Sequence, residues 1–72
     1  MNKNRALEIA ETMSNDDVSY FMGNYAYDNK SNSKEWHSKF VEYLKNDYTG
    51  TEKTFRDCVD VFNKYYWISH IV

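Results

Sequence analysis

A chain of 72 residues with no proline, and with glycine only at positions 23 and 50, has few means of turning tightly. Sheet proteins rely on those two residues for their turns, so their scarcity favours helices joined by short polar breaks. The sequence therefore predicts an all-α fold: one domain over residues 1–72, a small bundle of about four helices with a long C-terminal helix. One stretch supports an alternative, an α+β fold with a hairpin at residues 18–27. Ser19-Tyr20-Phe21-Met22 and Tyr25-Ala26-Tyr27 flank Gly23-Asn24, a permitted two-residue turn, and tyrosine favours strands. An isolated hairpin is marginal in water, and no other strand partner is visible.

Periodicity places the helices. Ala6, Ile9, Ala10 and Met13 share a face in a first helix from about Lys3 to Met13. Ser14-Asn15-Asp16-Asp17 reads as a break with a fresh N-cap, whose acidic residues suit the positive end of the helix dipole. A second helix follows from Asp16 to Tyr27, with Val18, Phe21, Met22 and Tyr25 on one side. The polar run Asp28 to Ser33 reads as a loop, and Ser33 as the cap of a third helix bearing Trp36, Phe40, Tyr43 and Leu44. Thr51 is the expected cap of the fourth, which runs to about His70. Its face holds Phe55, Cys58, Val59, Phe62, Tyr65, Tyr66 and Ser69. Trp67, Ile68, Ile71 and Val72 overflow that face, which predicts burial on more than one side or a surface meant for another molecule.

So short a chain buries only about 60% of the surface it exposes when unfolded, so its stability is marginal. Small domains commonly add a disulfide, a metal or a partner subunit. Cys58 is the single cysteine, and two histidines are too few for an ordinary structural zinc site. Thirteen aromatic residues remain to carry the core, with a homodimer as a second contributor.

The formal net charge of -2 disfavours a general nucleic-acid binder, which usually shows a basic face. The acidic excess lies in residues 1–33, where Glu8, Glu11, Asp16, Asp17 and Asp28 outnumber Lys3, Arg5 and Lys30. No signal-peptide pattern or membrane-spanning apolar run is present, and the lone cysteine fits a reducing compartment, so the expected location is cytoplasmic.

No pattern of catalytic or ligating residues stands out. His37 has Phe40 and Val41 at i+3 and i+4 where a metal or catalytic role would want His, Asp or Glu, so it reads as a boundary histidine. His70 near a helix C-terminus is explained by the dipole. Cys58 lies on the most apolar face and reads as a buried, inert thiol. The expectation is a non-enzyme with no cofactor and no metal.

The aromatics point instead to contact. A core of this size cannot hold all thirteen rings. Tyr20, Tyr27, Tyr48 and Trp67 fall off the main apolar face of their segments and are the expected exposed set. The expected partner-binding residues are Trp67, Ile71, Tyr20, Tyr27 and Tyr48, with Glu8, Glu11, Asp16 and Asp17 steering towards a basic surface. The leading reading is a small intracellular protein-binding inhibitor or regulator that acts by stoichiometric contact. Residues with AT-rich codons (Phe, Tyr, Met, Ile, Asn, Lys) far outnumber those with GC-rich codons, which extends the reading to a phage or mobile-element protein directed at a host or defence protein. Two alternatives compete. One is a helical nucleic-acid module using Lys34, Lys39, Lys45, Lys53, Arg56 and Lys64, although these alternate with Glu35, Glu42, Asp57 and Asp60. The other is a structural homodimer paired through Trp67, Ile68, Ile71 and Val72.

Overall fold

Trp36, Phe40, Tyr43 and Leu44 recur at i, i+4, i+7 and i+8, and that stripe organises the molecule. In the computed structural model it is the inner face of α3 (Asn29–Asn46), the longest described helix, and all four side chains are buried. The structure describes residues 1–22 and 29–67, with side chains for 1–22 and 33–66. Helices α1 (Lys3–Glu11), α2 (Asn15–Met22) and α4 (Phe55–Phe62) each pack on α3, and α4 runs on into a π-helical turn, Asn63–Trp67. Four α-helices and no strand among the described residues make this a small all-α bundle. No described helix is long and apolar enough to cross a membrane.

Side-chain oxygens start the helices by satisfying amide groups that lack an intrahelical acceptor. The Asn2 Oδ1 accepts from the Asn4 and Arg5 amides, at 2.7 and 3.3 Å. Ser14 and Asp17 form a reciprocal capping box. The Asp17 amide donates to Ser14 Oγ at 3.1 Å, and the Ser14 amide donates to Asp17 Oδ2 at 3.4 Å. Thr54 Oγ1 accepts from the Asp57 amide at 3.1 Å. α1 ends at Thr12, whose hydroxyl donates back to the Glu8 and Ile9 carbonyls at 2.9 and 3.2 Å.

Several predicted boundaries move. The last helix is capped by Thr54, not Thr51, because Thr54 has the extended backbone and the hydroxyl geometry of an N-cap. Ser33 is not a cap: α3 begins at Asn29, so the polar run from Asn29 to Ser33 is helical rather than loop. Polar composition alone did not stop propagation back from a well-anchored helix. The hairpin is overturned over residues 18–22, which belong to α2; Gly23, Tyr25 and Tyr27 lie outside the described residues.

The core is an aromatic cluster centred on Phe62. Its ring centroid lies 5.6 Å from Trp36, 5.2 Å from Phe40 and 5.6 Å from Tyr43. One α4 side chain thus engages three successive turns of α3. Ala6 and Ala10, both fully buried, present the small side chains of α1 to the core. His37 fastens α1 further: its Nε2–H donates to the Ala10 carbonyl at 2.6 Å.

The buried polar group at the centre is Asn63, with no solvent exposure. Its Oδ1 accepts from Trp36 Nε1 at 2.6 Å, and its Nδ2 donates to the Phe21 carbonyl at 3.2 Å. One amide joins the end of α4 to α3 and to the last turn of α2. Asn63 stands four residues after the buried Val59, and its amide still donates to the Val59 carbonyl, so it faces inward on the α-helical path. The wider winding of the π-turn begins there, and Tyr65 beyond it is 64% exposed. The predicted apolar face therefore holds for Cys58, Val59 and Phe62 and fails at Tyr65.

We expect Asn63→Ala to cost about 3 kcal/mol, since it strands the Trp36 indole N–H and the Phe21 carbonyl as well as removing two bonds. Urea unfolding measures this, and a loss under about 0.5 kcal/mol, the level of an ordinary surface substitution, would contradict it. Gly50, at φ 83°, has nothing within 4 Å of where a Cβ would stand. Gly50→Ala should therefore lose about 1–2 kcal/mol from backbone strain alone, with no change in core packing. A thermally neutral variant would show that the turn relaxes freely.

Candidate functional site

Cys58, Tyr43 and Tyr48, which face the core, are held neutral. Cys58 is fully buried, and burial pushes its thiol above the usual range, with the Glu52 carboxylate adding to the rise. The neighbouring Tyr48 hydroxyl offsets part of it. Tyr43 is raised too, first by burial and then by Glu52. A thiol so placed is a poor nucleophile. Among the described residues no group of three or more His, Cys, Asp or Glu side chains is placed to hold a metal ion.

Tyr48 belongs to this core, which corrects its expected exposure. It retains only 9% of its surface, and its ring meets Tyr43 edge-on at 6.4 Å. It follows the end of α3, and its hydroxyl donates to the Met1 carbonyl and also lies 3.3 Å from the Glu52 carbonyl. Helical spacing could not place Tyr48, because the chain has left α3 by that point. Its hydroxyl holds together the segment before α1 and the turn before α4. Glu52 Oε2 nearby is buried without a hydrogen-bond partner.

The exposed aromatic surface lies elsewhere. Tyr20, on the outer side of α2, is 71% exposed, as its position off the apolar face predicts. Its ring is nevertheless held. It meets Phe21 edge-on at 5.3 Å, Phe21 meets Phe55 at 5.5 Å, and Phe55 meets the buried Phe40 at 5.6 Å. The Arg56 guanidinium lies over Tyr20 at 5.8 Å and over Phe21 at 5.7 Å. Such contacts are worth about 0.5–1 kcal/mol at an exposed site, enough to bias the geometry of both groups. Asp60 lies 3.6 Å from Arg56, and both are half exposed, so this pair adds little.

Of the predicted site residues, the structure gathers Asp16, Asp17 and Tyr20 on one short helix. Asp16 shares the outer side with Tyr20, whereas Asp17 is engaged in the capping box. Glu8 and Glu11 lie on α1; Glu8 pairs with Arg5, and Glu11 borders a groove with Lys34, His37 and Lys45. Tyr27 and Ile71 lie outside the described residues, as do Ile68, His70 and Val72; for Trp67 only the backbone is described. Sequence reasoning missed Arg56 as a partner of Tyr20. The only available signal was Phe55-Arg56 at the start of a helix, which does not reveal which neighbour the arginine overlies.

No family model, no curated protein and no solved structure matches this chain.

The neutral Tyr48 hydroxyl gives a pH dependence. Its pKa rises from 10.0 to about 12 through burial and the neighbouring Cys58 and Glu52. A group raised on folding contributes stability that is complete below its unfolded pKa and is lost as pH climbs through the folded one. Stability should therefore fall between about pH 10 and 12, with tyrosinate absorbance rising as the fold is lost. Tyr48→Phe should be less stable at neutral pH and show a shallower alkaline decline. An equal slope in both proteins would remove Tyr48 from this account.

Proposed function

We propose that this chain is a small regulator that acts by stoichiometric contact with another protein, and that the contact centres on Tyr20 and Arg56. The observation that supports the reading is an exposed tyrosine held by a ring-to-ring path from Phe40 and overlain by an arginine. Tyrosine and arginine are the residue types that most often dominate binding energy at interfaces. A ring already fixed in the free protein loses little conformational entropy on binding. Asp16 beside it, with the acidic excess of residues 1–33, suits a partner with a basic rim and repels a phosphate backbone. The AT-rich codon bias extends the proposal to a phage or mobile-element protein directed at a host or defence protein.

The test is affinity capture from a low-GC bacterial lysate with wild-type, Tyr20→Ala, Arg56→Ala and Glu35→Gln baits, Glu35 being exposed on α3 outside the acidic region. A discrete retained protein should be weakened about tenfold or more by each of the first two substitutions and left unchanged by the third. Loss of Tyr20 leaves the core intact, so the variant should fold. Retention of nothing by wild type, or equal retention by every bait, defeats the reading. Salt-sensitive binding to labelled single-stranded DNA or RNA would replace it with the nucleic-acid alternative.

A further inference from the structure

Met1 is held at both of its backbone groups. Its ammonium donates to the Glu52 carbonyl, and its carbonyl accepts from the Tyr48 hydroxyl. The two contacts span 51 and 47 residues of sequence, so they tie Met1 to the connection between α3 and α4. The Met1 side chain is half buried and packs against the core. Asn2 follows directly as the N-cap of α1, so the position of Met1 fixes how the chain enters that helix.

The surroundings of the amine carry a charge that needs an answer. Glu52 Oε2 is buried with no hydrogen-bond partner among the described residues. The Glu52 carboxylate and the Met1 ammonium both act on the buried Cys58 thiol, with opposite sign, so the two charges share one small region. No ion pair within 4.0 Å joins them among the described residues. A carboxylate oxygen shut off from water is unfavourable unless positive charge stands near it. The ammonium is a positive charge fixed in that region by its own hydrogen bond.

We propose that the Met1 α-amino group is a modification-sensitive switch, and that its acylation by a formyl or acetyl group releases the start of α1 from the α3–α4 connection. An activated acyl carrier supplies the group. The ammonium loses one proton, and the nitrogen then bonds to the acyl carbon. The carrier leaves with the electron pair of its own bond and takes up the second proton. The resulting amide keeps one N–H but no charge, and it brings an extra carbonyl into a half-buried position. The Glu52 carboxylate then stands in the same region without its counter-charge.

Full chains made by chemical synthesis with a free, monomethylated, formylated or acetylated Met1 amine test this. The formyl and acetyl chains should melt roughly 5–10 °C below the free-amine chain, the loss expected for one charge-assisted hydrogen bond in a domain of this size. The monomethyl chain keeps the charge and two N–H groups, and should stay within about 2 °C of the free amine. Glu52→Gln removes the stranded carboxylate, so the acetyl penalty should shrink about twofold or more in that variant. The Cys58 thiol reports opening: an aromatic disulfide reagent should modify it on the order of tenfold faster in the acetyl chain under native conditions. Equal melting of the free and acetyl chains, a loss confined to the acetyl chain, an equal loss in the monomethyl chain, or an acetyl penalty unchanged by Glu52→Gln overturns the proposal. No residue here belongs to the Tyr20–Arg56 surface, so failure of those captures would leave this result untouched.

Discussion

Asn63 is a polar side chain placed where a small protein has the least freedom to be wrong. Burying an amide is unfavourable unless its donor and acceptor are both engaged, and here each finds a partner on a different helix. The Trp36 indole and the Phe21 carbonyl would otherwise be buried polar groups of their own. The three groups therefore satisfy one another only when α2, α3 and α4 stand in their native relation. Aromatic burial supplies most of the attraction, but many packings of Phe and Tyr have similar energy. The hydrogen bonds discriminate among them.

The rings extend that order outward. Phe40 is buried in α3, Phe55 half buried at the start of α4, Phe21 half buried on α2 and Tyr20 open to solvent. Each neighbouring pair meets edge to face. Orientation imposed in the interior is thus passed to a surface side chain that would otherwise sample several rotamers. In a domain with so little interior, the same residues must serve both packing and presentation.

Helical class, the α3 stripe and the inert setting of Cys58 were legible because they depend on local periodicity, and apolar spacing reports that well. The failures have a common physical origin. Ser33 and Thr51 are good cap residues by type, yet capping is a matter of backbone dihedral and hydroxyl position, which Thr54 meets instead. Tyr48 lies beyond a helix end, where spacing carries no information about direction. Tyr65 was misjudged because an ideal 3.6-residue period was carried through a turn that does not obey it. At the candidate surface, Tyr20 followed from its place on a helix, whereas its pairing with Arg56 links residues far apart in sequence.

The wide turn after Phe62 also bears on how this chain would relate to others. A π-turn accommodates one residue more than the α-helical path between the same two points. A cousin lacking Asn63 would therefore run as an unbroken α-helix, with a tyrosine still able to reach the Phe62 ring. It would forfeit the inward amide and the bonds it makes to α2 and α3. Such a gap would separate versions of this fold locked by polar contacts from versions held by rings alone.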